Sequence, residues 1–382
     1  MSIVGAVAST AVIGWILVEA FEAMVLPRRV MRKFRFNRWY YRLTWPGWLC
    51  LSRVFAAPKR RETFLSLFGP LSLLGLFSSW VVGLIVAFAL LHWSLGTPLL
   101  KPAGPVEELT ELLYFSGITF FTIGYGDVVP AHGLGRFLAV VEGGIGFGFL
   151  AIIIGYTPVL YQAFSRREVV ISLFDARAGS PPSAGQLLLR IAPHFDAGAA
   201  SNALAEWERW AAELLESHLS FPVLSFYRSQ HDNQSWLAAL TTILDTCALI
   251  MAAAPGKSLF QAQLTFAMAR HAAVDLALVM HTPPRPVEPD RLPSDAWQQL
   301  CEQLHAAGLE VRQGPAVEAK LSELRGMYEP FVNALAHFFQ FQLPPLFTEK
   351  TAVDNWQTSA WTRRTAGFRR LPVLNDGDEH FD

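Results

Sequence analysis

The first 165 residues contain three apolar stretches, each long enough to cross a lipid bilayer as a helix. They run from residue 2 to 26, from 63 to 100 and from 137 to 165. A helix rises about 1.5 Å per residue, so about 20 apolar residues span the hydrocarbon core. The whole chain has 16% charged residues, whereas soluble proteins have about 25%. The pattern predicts an all-α membrane protein with three spans, followed by a more polar half.

The charges between the apolar stretches indicate which side of the membrane each loop faces. Residues 27–63 contain eleven Lys or Arg and one acid, whereas residues 96–133 contain one Lys and four acids. Short loops rich in Lys and Arg stay in the cytoplasm. We therefore predict a multi-pass protein of the cell (inner or plasma) membrane, with the N-terminus outside and the C-terminal domain cytoplasmic. Residues 1–26, which contain Glu19 and Glu22, could instead form an amphipathic helix on the membrane surface.

The basic segment 27–63 also contains interleaved tryptophan and tyrosine residues. Such a composition occurs in proteins that bind nucleic acids. Between two membrane spans, attraction to lipid explains the same composition more simply. We expect anionic lipid headgroups to be partners of residues 27–63, and we expect no nucleic acid to bind.

The segment between the second and third spans carries a short apolar helix pattern and a glycine-containing motif. Residues 105–121 are too short to cross the bilayer, which predicts a re-entrant helix that is buried in protein or lines a wet cavity. Thr122-Ile-Gly-Tyr-Gly-Asp127 follows this helix. Gly124 and Gly126 can adopt positive φ angles, so the backbone can alternate in handedness and direct successive carbonyl groups to one axis. Carbonyl oxygens arranged in this way replace the water around a potassium ion.

One chain supplies one such loop, and a closed ring of carbonyl groups needs four. The mechanism therefore requires a homotetramer. No other cofactor is expected, because potassium would be the transported ion.

The motif between two spans resembles the pore-loop potassium channels of the prokaryotic two-transmembrane type. The resemblance covers residues 64–164 and leaves an extra N-terminal helix and a C-terminal domain outside it. It implies a pore-loop cation channel fold with Asp127 at the outer mouth. It also implies that Thr122, Ile123, Gly124 and Tyr125 bind K⁺ and that the selectivity filter consists of Thr122, Ile123, Gly124, Tyr125 and Gly126. Phe121 and Ile118 depart from residues common in the family, which puts in doubt an inactivation mechanism based on a carboxyl pair with Asp127.

The third span contains candidates for gating. Gly146 matches the glycine at which the inner helix of the family bends, although a small residue also allows close helix packing. Ile154 and Pro158 share a helix face and are candidates for a hydrophobic constriction. Glu142 is an acid inside an apolar span, and it is either a structural anchor or a proton sensor.

The sequence predicts three domains. They are an N-terminal transmembrane helix with a basic loop (1–63), a pore domain (64–164) and a cytosolic, mostly helical domain (165–382). We predict that the last is a bundle of five or six helices, with a possible short strand at Val169–Phe174. Residues 236–254 form either a core helix or a fourth membrane segment. The sequence does not identify a ligand of this domain.

These patterns favour a potassium-selective channel that conducts K⁺ passively, and its cytosolic domain is a candidate for gating it. The alternative is a membrane-anchored sensor or scaffold with a non-conducting, channel-like pore. We predict that the protein is not an enzyme, because its soluble half contains no nucleophile and base set and no phosphate-binding loop.

Overall fold

The chain divides into two compact units, Met1–Gln162 and Ala163–Asp382, which are described separately. The computed structural model describes residues 2–25, 36–102, 104–105, 108–179, 181–192, 197–230, 234–254, 256, 258–286 and 288–348. The first nine residues of the predicted lipid-binding segment, 27–35, therefore lie outside the described residues.

The first unit consists of helices and a small sheet near the predicted pore loop. The helices are α1 (Ile3–Met24), α2 (Phe36–Ser52), α3 (Pro58–Ser66), α4 (Phe68–Leu95), α5 (Leu109–Phe120) and the first part of α6 (Gly133–Ala178). The strands are β1 (Leu99–Lys101), β2 (Gly104–Pro105) and β3 (Val129–Pro130). They form an antiparallel sheet in the order β2-β1-β3, in which Leu100 pairs with both Pro105 and Val129.

Helix α1 packs antiparallel against α4. The backbone N–H of Ser2 donates a 2.8 Å hydrogen bond to the Ser94 carbonyl, so the start of α1 lies beside the end of α4. The contact is close, because a methyl group on Gly83 would lie 2.9 Å from the Ile16 side chain. Residues such as Ile3 remain exposed on the other face of α1. An apolar helix that is packed on one side and bare on the other suits a lipid environment.

Four helical segments are long and apolar enough to cross a membrane. They are Ile3–Met24, Pro58–Leu95, Gly133–Phe174 and Trp236–Ala253. The prediction of an all-α membrane protein with a re-entrant helix and a helical second half is thus confirmed. The fourth segment is 89% buried within the protein, whereas a span in contact with lipid keeps one face bare.

The second unit contains the end of α6 and more helices than the predicted five or six. Its described part also includes a 3₁₀ helix, Pro222–Phe226. The further helices are α7 (Ala184–Ile191), α8 (Ala197–Ser220), α9 (Trp236–Ala253), α10 (Leu259–Val279), α11 (Ser294–Ala306), α12 (Pro315–Gly326) and α13 (Glu329–Phe339). Residues 316–340 have the sequence pattern of one helix that Pro330 interrupts, and in the structure they form two helices, α12 and α13.

Helix α9 occupies the core of this unit, and its single acid, Asp245, has partners there. Arg291 Nη1 donates to Asp245 Oδ1 at 3.1 Å, and the Tyr328 hydroxyl donates to the same oxygen. Burial opposes the charge of Arg291, but Asp245 and its neighbours raise the pKa of Arg291 above its ordinary value. A buried carboxylate needs such a partner. The ion pair therefore favours the core-helix interpretation of residues 236–254.

The predicted strand at Val169–Phe174 is wrong, because these residues continue α6. Arg167, Ile171, Phe174 and Ala178 are all buried and are spaced four, three and four residues apart. This spacing is that of one helix face. A short apolar run does not by itself distinguish a strand from a buried helix.

Two local predictions about helix ends are also wrong. Pro105 was expected in the first turn of the re-entrant helix, but it lies in β2, and α5 begins four residues later at Leu109. Ser258 and Gln261, three residues apart, have the residue types of a capping box, which predicts reciprocal hydrogen bonds at the start of a helix. Ser258 makes no capping hydrogen bond, and Gln261 Nε2 instead donates to Glu208 Oε2 at 2.6 Å.

Candidate functional site

The backbone alternates in handedness along the motif that follows α5. Thr122, Gly124 and Gly126 have φ angles of +56°, +58° and +78°, whereas Ile123 and Tyr125 do not have positive φ. Glycine adopts such angles readily, but threonine rarely does, because its side chain is branched at Cβ. The alternation that the sequence argument required is therefore present at every second residue.

The N–H groups at the start of the motif are bonded back to the end of α5. Thr122 N donates to the Thr119 carbonyl at 3.0 Å, and Ile123 N and Gly124 N donate to the Ile118 carbonyl at 2.8 and 3.3 Å. Within the described part of the chain, the carbonyl groups of residues 122–126 accept no hydrogen bond. The first three N–H groups of the loop are therefore used, whereas its carbonyl oxygens remain available, which is the chemistry needed to bind a monovalent cation.

Asp127 is held against α5 at the end of the motif. Its Oδ2 atom accepts a 2.8 Å hydrogen bond from the Tyr114 hydroxyl, and its Oδ1 atom accepts one of 3.1 Å from the Val128 N–H. The partner of Asp127 on α5 is therefore a phenol, and position 118 is an isoleucine. Nearby, Lys101 Nζ donates to Glu111 Oε1 at 2.7 Å, which joins β1 to α5 and raises the pKa of Lys101.

Glu142 joins three helices behind the motif. Its side chain is buried and forms a hydrogen bond with the Ser116 hydroxyl of α5, which also lies 2.8 Å from the Ile85 carbonyl of α4. A hydroxyl group has one hydrogen and cannot donate to both acceptors. Both contacts are hydrogen bonds only when the Glu142 carboxyl group carries a proton and donates it to Ser116.

Gly146 lies against the C-terminal end of α5. A methyl group at this position would collide with the Phe120 carbonyl oxygen. By contrast, a methyl group on Gly144, two residues earlier in the same helix, would meet no neighbouring atom within 4 Å. Close packing against α5 therefore explains why residue 146 is a glycine. Bending of α6 at this residue stays a prediction.

Ile154 and Pro158 lie further along α6, and the helix continues through both. Ile154 is 72% exposed in the single chain, and Phe147 on the same face is 69% exposed. This face is therefore available to line a passage or to contact another copy.

Sequence reasoning missed three residues that hold these groups in place. They are Tyr114, Ser116 and Arg167. Ser116 is one of several hydroxyl residues on α5, and its partner Glu142 is 26 residues away in the sequence, so no local signal distinguishes it. In the sequence, Arg167 is one of two arginines that follow the third span, which indicates only a cytoplasmic position. It is buried, and it donates to the Leu224 and Tyr227 carbonyls of the second unit.

Comparison with known proteins agrees with this geometry. Residues 77–162 match the family described as "Ion channel". A segment of 52 residues is 40% identical to "Two pore potassium channel c" of Oryza sativa subsp. japonica, and it covers 14% of this chain and 11% of the plant protein. An 87-residue segment is 31% identical to "Protein LctB" of Bacillus caldotenax and 30% identical to that of Geobacillus stearothermophilus. It covers 20% of this chain and 64% of each LctB protein.

The chain thus spans less than two thirds of the length of these relatives, and no solved structure matches it. The segment that holds the re-entrant helix, the alternating loop and the glycine-rich span is an ion-channel domain. The resemblance to pore-loop channels stated from the sequence is confirmed for this segment. The match to a channel family, together with the apolar helices, indicates a membrane protein that assembles into an oligomer.

Proposed function

We propose that the protein is a potassium-selective channel that conducts K⁺ passively through a homotetrameric pore. The filter is Thr122–Gly126, with Thr122, Ile123, Gly124 and Tyr125 as K⁺ ligands and Asp127 at the outer mouth. The alternating positive φ angles at Thr122, Gly124 and Gly126 carry this proposal. In an ordinary strand, successive carbonyl groups point to opposite sides. Alternating handedness brings them to one side, where four copies can replace a hydration shell.

Exposed apolar residues support assembly into a tetramer. Tyr125 is 72% exposed and Ile123 is 50% exposed in the single chain. Only 17% of the third span is buried within the protein, against 50% of the second. Lipid can cover the outer face of such a helix, but the loop residues need cover from protein. Three further copies around one axis would provide it.

The gate is proposed on α6. Ile154 and Pro158 would form a hydrophobic constriction, Gly146 would be the place at which the helix bends, and Glu142 would anchor α6 to the re-entrant helix. The exposed face of Ile154 is consistent with a pore lining that other copies complete.

The contact between Ser2 and Ser94 supports a topology with the N-terminus outside. Ser94 lies in the last turn of α4, just before the sheet, and β3 of the sheet follows Asp127, so Ser2 lies on the side of the outer mouth. The basic helices α2 and α3 then lie at the opposite end of α1, in the cytoplasm and beside anionic headgroups.

Native cysteines allow a direct test of this topology. Cys50 in α2 is exposed, whereas Cys247 and Cys301 are buried. A membrane-impermeant maleimide added to intact cells should label Ser2→Cys in a Cys50→Ser background, and it should label native Cys50 only after permeabilisation. The reverse pattern would contradict the proposed orientation.

Ion flux from liposomes tests the conduction mechanism. The purified protein should pass potassium or rubidium and exclude sodium. Gly124→Ala should reduce this selectivity, because a left-handed alanine costs about 1 kcal/mol in each subunit. Gly117→Ala is the matched control, because Gly117 lies within α5, has no positive φ and has no neighbouring atom within 4 Å of the added methyl group.

Equal passage of sodium and potassium would refute the proposed filter, as would unchanged selectivity in Gly124→Ala. Folded tetramers that pass no ion under any condition would favour the alternative, a sensor or scaffold with a silent pore. That the protein is not an enzyme stays a prediction.

A further inference from the structure

Residues 341–348 form an extended segment that lies in a groove of the second unit, and we call this segment the strap. It follows α13, which ends where Gln340 adopts a left-handed conformation with a φ of +58°. The strap contains no helix or strand, yet Leu346 and Phe347 are only 0% and 6% exposed. Two apolar side chains therefore anchor a segment that has no regular structure of its own.

The backbone of the strap is held by hydrogen bonds to alternate carbonyl groups. The acceptors are the carbonyls of Pro344, Leu346 and Thr348, and the donors are Arg291 Nη2 at 2.8 Å, the Gly185 N–H at 2.9 Å and Gln186 Nε2 at 3.2 Å. In an extended chain, every second residue faces the same side. The groove therefore presents a row of donors to one edge of the strap.

Two prolines suit the strap to this way of binding. Pro344 and Pro345 have no N–H group, so they add no donor that would need a partner in the groove. Proline also restricts φ, so the free segment is already extended and loses less conformational freedom when it docks. Proteins bind extended peptides through main-chain hydrogen bonds and pockets for side chains. The strap thus has the properties of a bound peptide, although it belongs to the same chain.

The groove accommodates Phe347 because residue 185 has no side chain. A methyl group on Gly185 would lie 2.9 Å from the Phe347 ring and 3.2 Å from the Leu346 carbonyl oxygen. Gly185 lies in the first turn of α7 and does not have a positive φ, so the helix itself does not require a glycine there. The close approach of the strap explains this glycine.

Docking of the strap fixes the start of α7, which follows closely after the end of α6. The Ser183 N–H donates a 3.1 Å hydrogen bond to the carbonyl of Ala178, the last residue of α6. The Ser183 hydroxyl also caps α7, because it accepts a 3.3 Å hydrogen bond from the Gln186 N–H. The strap therefore binds the turn of α7 that Ser183 joins to α6.

We propose that this groove is a binding site for an extended, proline-containing peptide with adjacent leucine and phenylalanine residues, and that the strap is its exchangeable occupant. The strap can leave without unfolding any helix, because it contains none. The docked strap braces the end of α6, the helix that also contains Gly146 and Pro158. Release of the strap should therefore increase potassium flux; this part of the inference rests on the proposed channel function.

Thiol labelling of the full-length protein in nanodiscs tests whether the strap leaves the groove. In a Cys50→Ser background, Leu346→Cys places a thiol on the strap, and native Cys247 in α9 is the buried internal control. Local opening exposes the strap alone, so its thiol should react with a maleimide at least about tenfold faster than Cys247. Added peptide with the sequence of residues 341–348 should raise this rate further, because it fills the groove once the strap has left.

Peptide binding in trans tests the groove without any need for conduction. The double variant Leu346→Asp, Phe347→Asp should release the strap and bind the fluorescein-labelled 341–348 peptide, but not the same peptide with both substitutions. Adding Gly185→Leu should abolish binding, because the new side chain takes the place of Phe347. Gly326→Leu is the matched control, since a methyl group on this helical glycine of α12 meets no neighbouring atom within 4 Å.

Potassium flux from liposomes tests the brace. The double variant Leu346→Asp, Phe347→Asp should pass potassium about fivefold faster than the wild type, and the added peptide should reverse this increase. The control is Gln342→Asp, Pro345→Asp, which adds the same two charges to the strap at exposed positions. It should conduct like the wild type.

Three results would overturn the site: equal reaction rates of the strap thiol and Cys247, no binding of the peptide in trans, or binding that Gly185→Leu leaves unchanged. If the released variant does not fold, the labelling rates of Leu346→Cys with and without peptide still decide. If the peptide binds but flux stays the same in the released variant, the brace is refuted and the site stands. If wild-type liposomes pass no potassium while peptide binding persists, the proposed channel function fails and the site stands.

Discussion

The guanidinium group of Arg167 donates a 2.9 Å hydrogen bond to the backbone carbonyl of Leu224, 57 residues further along the chain. A second hydrogen bond of 2.9 Å goes to the Tyr227 carbonyl, and the group also lies 5.0 Å from the ring centroid of Phe164. Arg167 thus attaches α6 to the segment that contains the 3₁₀ helix of the second unit.

Arg167→Ala should destabilise the second unit by about 3 kcal/mol, because it leaves buried carbonyl groups without donors. Thermal unfolding of the full-length protein measures the effect. Arg166→Ala is the control, since Arg166 directly precedes Arg167 in the chain and its side chain is exposed. If the two variants unfold at the same temperature, Arg167 does not have this structural role.

Acidification should destabilise the protein through His218. Burial and the adjacent Arg167 charge lower the pKa of His218 to about 3, although its hydrogen bond to the Leu214 carbonyl acts in the opposite direction. The ring stays neutral, donating from Nδ1 to Leu214 while Nε2 faces Arg167. An unfolded histidine has a pKa of about 6.5, so below that pH the unfolded chain binds a proton that the folded chain does not.

The free energy of unfolding should therefore fall as the pH decreases, by about 2 kcal/mol between pH 8 and pH 5. His218→Gln should flatten this dependence over the same range. His271→Gln should retain it, because the His271 side chain is 61% exposed. A wild-type unfolding temperature that does not change between these pH values would show that His218 does not control acid stability.

Gly146→Ala should disturb the contact between α6 and α5, because the new methyl group would collide with the Phe120 carbonyl oxygen. Overpacking of this kind costs about 1–3 kcal/mol. We expect a lower unfolding temperature and reduced potassium flux from liposomes. Gly144→Ala adds the same methyl group on the same helix without a collision and should behave like the wild type. If both variants lose unfolding temperature and potassium flux to a similar extent, the effect comes from reduced flexibility of the helix and not from the collision at Phe120.

Glu142 and Ser116 should show unequal effects when each is replaced. Ser116→Ala leaves the buried carboxyl group of Glu142 without its partner and should cost about 1–3 kcal/mol, whereas Glu142→Leu leaves Ser116 its bond to Ile85 and should cost about 1 kcal/mol. Glu142→Gln can still donate a hydrogen to Ser116 and should resemble the wild type in thermal unfolding. A Gln variant less stable than the Leu variant would contradict the protonated carboxyl group.

Features that depend on residues near each other in sequence could be predicted well. The apolar stretches indicated the membrane helices, and the motif from Thr122 to Asp127 indicated a loop with positive φ at its glycines. These signals are local, because helix length and backbone conformation depend on a few consecutive residues.

Features that depend on distant partners could not be predicted. Nothing near Arg167 in the sequence indicates that it binds carbonyl groups more than 50 residues away, and nothing near Glu142 points to Ser116. Pro105 suited the first turn of a helix and also the edge of a small sheet, and pairing with Leu100 decided between them. Side-chain hydrogen bonds across the fold have no sequence pattern of their own.

The left-handed backbone at Thr122 limits which residues can replace it. Glycine would remove the backbone strain but would delete the only hydroxyl group between Thr119 and Tyr125. Alanine would keep most of the strain and also lack the oxygen, and valine would keep the branch and lose the oxygen. Serine alone preserves a hydroxyl oxygen with a less crowded Cβ. A saturation library at this codon should therefore yield active clones for serine before any other substitution.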